Sequence, residues 1–390
     1  MKRIARRMGE IAAFRVMEIL GRSRDLEAQG RDIVHMEIGE PDFVSPKPII
    51  DAGRQALADG CTHYTPAAGL PVLRESIAGY YRQRFGVDIE PRRILITPGA
   101  SGALQLVLGV LVNPGDRVAV TDPGYPCNRH MIAAYGGIPV GLPVNSSNNF
   151  TVTSEALATA QADGLSALML ASPANPTGNT INLGQLQQLQ SQLSRRSGAV
   201  LVCDEIYQGL QYGETPTTAL ALENDDIVVI NSFSKYFGMT GWRVGWVVAP
   251  EWMIEPMERL AQNIFLASPT VAQHAAIAAF SEETLDVLEQ RRYLFEQRRD
   301  LLYEAVTSLG FGVPNRPSGA FYLYADASKM SDDSLTFCRG LLEHAGVAIT
   351  PGADFGHQLA SQHVRFAYTT GEGRLAEGVE RIARFLRAGA

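Results

Sequence analysis

Lys235 stands in the segment Ser232-Phe-Ser-Lys235, directly after an apolar run, and Arg243 follows eight positions later. A lysine that is partly neutral attacks aldehydes, and burial with neighbouring positive charge lowers its pKa enough for that role. Two hydroxyls and a guanidinium are good phosphate ligands, the arginine adding a two-pronged fork. Taken alone, the tetrapeptide reads more simply as a solvated loop with serines in a turn; Arg243 and the residues below shift that balance. In VCDEIYQG (202–209), Asp204 ends a second apolar run and Tyr207 follows three residues on. A carboxylate at such depth needs a cation, because isolated burial is costly. A protonated pyridine nitrogen is such a cation, and the pair keeps the ring an electron sink. The plainer role for Asp204 is a helix cap, with Glu205 beside it.

Two loops add weaker signals. SPANPTGN (172–179) follows an apolar run and reads as a plain Pro/Asn/Gly turn. It also offers the Asn175 side chain as a donor to an anionic ring oxygen. TPGASGALQLVLGVL (97–111) reads as strand end, glycine turn and helix. Its first turn presents backbone N–H groups near Ala100 to a phosphate, and Ser101 adds a hydroxyl. Many α/β loops share this form.

These residues need elements to place them. The runs ILIT (94–97), RVAVTD (117–122), ALMLAS (167–172), AVLVCDE (199–205), DIVVINS (226–232) and VGWVVAP (244–250) alternate with helical patterns. They are mostly β-branched and continuously apolar, as strands buried on both faces are. The expectation is a mostly parallel sheet sandwiched by helices, with ligands beyond the C-terminal strand ends. Residues 12–29 read as a helix ending near Gly30, and the Pro-punctuated 39–48 as a connector. A long helix starts at the N-cap Ser281, with an apolar stripe of Leu288, Phe295, Leu302, Val306 and Leu309 and Gly310 after its last turn. FYLYAD (321–326) and HVRFAYT (363–369) read as strands of a smaller α+β domain. The expected division is an N-terminal arm packing with the small domain (1–44), a large domain (45–285) and a small C-terminal domain (286–390).

The 390 residues carry a net charge of -7, with 46% hydrophobic and 19% charged, as in a soluble globular protein. No basic field exists to hold a polyanion, so nucleic acid is not an expected partner. The seven histidines lack metal-ligand spacing, and Cys61, Cys127, Cys203 and Cys338 lie far apart. No metal site or disulfide scaffold is expected; reduced thiols in the cytoplasm are. The basic N-terminus lacks the apolar run and cleavage site of a secretory signal. No stretch approaches the ~20 apolar residues that span a bilayer, so no membrane association is expected.

The ordered set of motifs resembles the aspartate aminotransferase superfamily, the class I and II aminotransferases, from about Ile33 to Phe385. Its most specific part is Ser232-Phe-Ser-Lys235 with Gly238, Gly241, Arg243 and Gly245. Supporting it in order are GEPDF (39–43), HYTPAAGLPVLRESIA (63–78), GASGAL (99–104), DPGYP (122–126), NPTG (175–178), DEIY (204–207) and RFAY (365–368). The resemblance implies pyridoxal 5'-phosphate held as a Schiff base on Lys235, which also moves the proton in the 1,3-shift. It implies Asp204 against the pyridinium nitrogen, Tyr207 and Asn175 on the 3-hydroxyl oxygen, and Tyr125 stacked on the ring. Ala100, Ser101, Ser232, Ser234 and Arg243 hold the phosphate, and Tyr64 reaches the phosphate of the neighbouring subunit of a homodimer. Arg365 receives the substrate α-carboxylate, with Gly39 and Asn175 beside it; a surface arginine on a strand is the simpler role, against which stand the apolar flanks Val364 and Phe366. The Asn175–Pro176 bond is cis in such relatives.

Some bacterial aspartate-selective relatives carry a lysine where this chain has Ser101. The neutral hydroxyl, with Phe14, Val16, Met17 and Tyr64 as candidate pocket residues, favours a neutral or aromatic amino donor over aspartate. A carbon–sulfur β-lyase or a cyclopropane-forming synthase uses the same cofactor residues, so the reaction itself stays open at this point. A non-catalytic sensor is the third reading, against which Lys235 argues.

Overall fold

The computed structural model describes residues 4–388 except Ser197 and Glu214. Among them the strands are, in chain order, β1 Val34–His35, β2 Ile94–Thr97, β3 Arg117–Asp122, β4 Ile138–Pro143, β5 Ala167–Ala171 and β6 Val200–Asp204. They continue with β7 Ile227–Ser232, β8 Gly245–Val248, β9 Tyr322–Asp326, β10 Val347–Ala348, β11 Thr350–Pro351 and β12 His363–Ala367. Seven of them form one sheet in the order β2-β8-β7-β6-β5-β3-β4, parallel but for β8, which runs against both its neighbours.

The continuous apolar runs are explained by helices on both faces. Alternate side chains of one strand enter two different cores: Ile94 and Ile96 face one and Leu95 the other, and likewise Leu168 and Leu170 against Ala167 and Met169. Each such Leu or Ile, fully out of water, contributes roughly 1.5–3 kcal/mol of burial. The exception is β4, an edge strand with Ile138 47% exposed and prolines at 139 and 143.

A second, antiparallel sheet has the order β11-β12-β9. The β1 strand pairs in parallel with β10, which ties the N-terminal segment to the C-terminal part of the chain. The helix Glu282–Ser308 begins as expected: the Ser281 hydroxyl accepts from the Thr284 N–H at 3.3 Å, and Leu288, Phe295, Leu302 and Val306 are buried. Gly310 beyond it adopts a φ of +97°. The first helix, Arg15–Ala28, begins three residues later than the sequence pattern indicates, because Phe14 at its N-cap brings no side-chain acceptor. Among the described residues no helix is long and apolar enough to cross a membrane.

Candidate active site

The C-terminal ends of the parallel strands converge on one cavity of about 290 Å³. Five of these strands hand over residues within a few positions of their ends. Ala100 and Ser101 follow β2, Tyr125 follows β3, Asn175 follows β5, Asp204 ends β6 with Tyr207 just beyond, and Lys235 follows β7. Gly39 and, from β12, Arg365 complete this set. Nine of the residues singled out from sequence therefore line a single space: Gly39, Ala100, Ser101, Tyr125, Asn175, Asp204, Tyr207, Lys235 and Arg365.

Lys235 Nζ donates to the Gly39 carbonyl at 2.7 Å. Burial pulls its pKa down from 10.5 to about 8, and the positive charges of Arg365 and Arg243 act in the same direction, against Glu40 and Asp204. Asp204 moves the other way. Burial raises its carboxyl to about 6, while the Ile206 N–H, 3.1 Å from Oδ1, and the Lys235 charge pull it down. Asp204 thus makes the short local bond of a cap and still faces the cavity. Tyr207 is buried, and its hydroxyl meets that of Tyr322 at 2.8 Å.

Arg365 is 3% exposed. Its guanidinium donates to Asn175 Oδ1 at 2.8 Å, to the Glu37 carbonyl and to Thr350 Oγ1 at 3.2 Å, all uncharged acceptors. Among the described residues its Nε is buried with no partner. The planar group lies 4.2 Å from the Tyr322 ring centroid and 4.8 Å from that of Phe355. The Asn175–Pro176 peptide is cis, as are Asp122–Pro123 and Ser172–Pro173. Asn175 spends its carbonyl oxygen on Arg365, which leaves the amide N–H₂ of the same side chain to donate.

Ser232, Ser234 and Arg243 lie beside the cavity rather than on its wall. The two serine hydroxyls are 2.9 Å apart and buried. Arg243 holds a left-handed backbone, φ +54°, and its guanidinium covers the first turn of the helix Gly99–Leu111. A Cβ on Gly99 (φ +69°) would sit 2.5 Å from Arg243 Nη2, and one on Gly245 would sit 2.9 Å from the Ala100 nitrogen. Glycine at both places lets strand, helix start and arginine close on one another. Tyr64 is 82% exposed and outside the cavity, so within one chain it takes no part.

Three contributors carried no sequence signal. Tyr322 bonds Tyr207 and covers Arg365, and its hydroxyl would be 1.7 Å from a Cβ on Gly39, so that position needs glycine. Thr350 and the Glu37 carbonyl hold Arg365 from other segments. Tyr322 was legible only as part of a strand. The N-terminal residues Phe14, Val16 and Met17 do line the cavity, as expected; Tyr64 does not.

Pyridoxal phosphate fits this donor set. Lys235 is an amine of lowered pKa, Asp204 a half-buried carboxylate of raised pKa, and the Gly99 turn with Ser232, Ser234 and Arg243 a phosphate cradle at a helix N-terminus. The orphaned Arg365 Nε calls for an anion.

Comparison with known proteins agrees. The family model of aminotransferase class I and II matches residues 31–382. The chain is 36% identical to the (5-formylfuran-3-yl)methyl phosphate transaminase of Methanocaldococcus jannaschii, over 98% of this chain and 99% of that one. It is 35% identical to the valine–pyruvate aminotransferase of Mycobacterium tuberculosis, over 98% of each. The crystal structure of an aminotransferase from Mycobacterium tuberculosis superimposes with a TM-score of 0.96 at 35% identity, covering all of both chains. The cavity at the strand ends and these likenesses agree, and the chain belongs to the class I and II aminotransferases as a pyridoxal-phosphate-dependent transaminase.

Proposed function

We propose that the enzyme moves an amino group between an L-amino acid and a 2-oxo acid, with a neutral or aromatic amino acid as donor. The observation that carries this is Arg365: a buried guanidinium with only neutral partners and an unpaired Nε, in the same cavity as Lys235. Asp354 acts on it only at a distance, and a buried charge without a direct ion pair is costly; the donor's α-carboxylate supplies one. Beyond Arg365, the charged residues on the cavity wall are Asp204 and Lys235, both engaged by the cofactor in this reading. Phe14, Val16, Leu104, Met131 and Met169 make the wall apolar. A donor with a second carboxylate finds no cation for it among them.

The placement supports the roles that the resemblance implies. When bound, pyridoxal phosphate supplies the aldehyde and the electron-withdrawing ring. Lys235 would take the proton from the donor's α-carbon and deliver it at the other end of the 1,3-shift. Asp204 faces the ring nitrogen, and its raised pKa falls again once a cation stands beside it. Tyr207 and the Asn175 amide donate to the ring oxygen, and Tyr125 covers the ring. The N–H groups of Ala100 and Ser101, with Ser232, Ser234 and Arg243, receive the phosphate. Gly39 lines the place of the α-carboxylate. Tyr64, 82% exposed in the single chain, serves the partner subunit of a homodimer. The free cysteines fit a cytoplasmic enzyme. A division into arm (1–44), large (45–285) and small domain (286–390) places the second boundary in the first turn of the helix Glu282–Ser308.

The test is a donor titration of the yellow holoenzyme. Alanine, methionine or phenylalanine should bleach the long-wavelength absorbance, and a 2-oxo acid should restore it. Aspartate far outperforming every neutral donor would overturn the donor class. Pyruvate and ammonia released from cystathionine, without need of an oxo acid, would replace transamination by β-elimination.

A further inference from the structure

The helix Arg15–Ala28 begins without a cap of its own, since Phe14 at the N-cap has no acceptor. The first N–H groups of a helix have no intrahelical partner. Here they are met from the far end of the chain. Asp354 Oδ1 accepts from the Arg15 N–H at 2.9 Å, and Oδ2 from the Val16 N–H at 3.2 Å. The Asp354 residue is 8% exposed, and its carboxylate stands at the positive end of the helix dipole.

The residues next to Asp354 hold the other walls of the cavity. Phe355 lies against the Arg365 guanidinium. Its carbonyl accepts from the Gly124 N–H and from Arg129 Nη2, each at 2.9 Å, on the two sides of Tyr125. Gly356 is pressed against Asp122, whose Oδ1 would be 1.9 Å from a Cβ there. The Asp122 carboxylate accepts from the His357 N–H at 2.9 Å and the Gln358 N–H at 3.3 Å. Residues 354–358 are therefore a short segment that touches the first turn of the N-terminal helix, the arginine proposed to bind the carboxylate and the loop of the tyrosine proposed to cover the ring.

We infer that Asp354 is a positioning residue for donor selectivity: it fixes the helix start, and with it Phe14, Val16 and Met17, relative to Arg365. The α-carboxylate anchors one end of the donor, so the distance from Arg365 to that apolar wall decides which side chains fill the space. Asp354 reacts with nothing itself. This rests on the neutral-donor reading above.

The experiment compares KM and kcat of wild type, Asp354→Ala and Asp354→Asn holoenzymes for alanine, methionine and phenylalanine. In Asp354→Ala, kcat/KM for the two long donors should fall roughly fivefold relative to alanine, the equivalent of one lost helix cap. The loss should appear in KM, because the chemistry at Lys235 is untouched. Asp354→Asn keeps an acceptor and should restore part of the discrimination. Arg15→Pro removes one of the two bonds, that of the Arg15 N–H, leaves the one from Val16, and guards against misfolding of the first variant. Proline suits the first helical position, and the extended Phe14 (ψ 107°) suits a following proline. Arg15→Ala keeps the N–H and should keep wild-type selectivity. Equal loss for all donors, or an unchanged ratio in both Asp354→Ala and Arg15→Pro, overturns this inference alone. A wild type that turns over aspartate far faster than any neutral donor overturns the donor reading and this inference with it.

Discussion

The cofactor side and the donor side of the cavity are built in different ways. On the cofactor side the polar groups come from neighbouring strand ends of one sheet and satisfy each other. The Ser232 N–H donates to Asn231 Oδ1 at 2.7 Å, Asn231 Nδ2 to Gln208 Oε1 at 2.9 Å, and Gln208 Nε2 to Glu205 Oε2 at 2.8 Å. All four residues are buried. On the donor side, Arg365 belongs to another sheet, Phe14, Val16 and Met17 to the N-terminal helix, and Met17 is 53% exposed. These pieces are held together by a few bonds from Asp354 and its neighbours. Strand ends of one sheet place the first set, and the second joins a strand of another sheet to a helix start through side chains. In the proposed reading, the groups for reaction chemistry sit at strand ends of the large sheet, while those for selectivity sit on segments outside it.

Variants on the two sides should separate accordingly. The largest effect belongs to Lys235→Ala. Turnover should drop by roughly 10²–10⁴-fold or more from loss of the proton-transferring base alone, and borohydride should no longer fix the cofactor to the chain. Asp204→Asn should cost on the order of 10²–10³-fold in kcat, as removal of one directed electrostatic partner does. Its KM for the donor should change little; a change mainly in KM would erase the distinction between the two sides. Arg365→Lys should do the reverse. It forfeits the two-pronged geometry and raises KM by roughly 10- to 100-fold for every donor, with the absorbance of the bound cofactor unaltered. Next comes a pH effect. With its ammonium pKa down at about 8, Lys235 in cofactor-free protein is neutral above that pH and protonated below it. Capture of added pyridoxal phosphate should slow about tenfold per pH unit below 8 and level off above it. A rate still climbing toward pH 10 would mean that Lys235 keeps the pKa of a solvated lysine.

The two sides also differ in how far they could be read from sequence. Strand ends are local: an apolar run followed by Asp204, Asn175 or Lys235 announces both the strand and the residue at its tip, and all three line the cavity. The helix Glu282–Ser308 was equally legible, because Ser281 and the apolar stripe are local signals. What was not legible depends on contacts between distant segments. Tyr322 meets Tyr207 across 115 residues, and Asp354 caps a helix 339 residues before it. Neither has a spacing that marks it. The β4 strand was missed for another reason: at the sheet edge it needs no continuous apolar run, and Pro139, Gly141 and Pro143 hide it. The first helix starts three residues after the point its local pattern indicates, and its cap comes from Asp354, far along the chain.

The smallest effect expected is also the most direct probe of the donor side. Ser101 lines the cavity in the first turn of the helix Gly99–Leu111. Ser101→Lys brings an ammonium to a wall that is otherwise apolar or engaged by the cofactor, within reach of a second carboxylate on the donor. The pair would be partly exposed, since Ser101 itself is exposed. Such pairs contribute about 0.2–1 kcal/mol, so kcat/KM for aspartate should rise only about 1.4- to fivefold. The positive end of the helix opposes the new charge and keeps the gain small. Phenylalanine should lose by a similar factor, because the ammonium replaces apolar contact. Steady-state kinetics with both donors, at low and high salt, checks the cause: screening should remove the aspartate gain and leave the phenylalanine loss. A gain that survived high salt would point to a moved wall instead of a new charge pair. The selectivity of this enzyme would then lie in the shape of the N-terminal segment and not in the charge of its cavity.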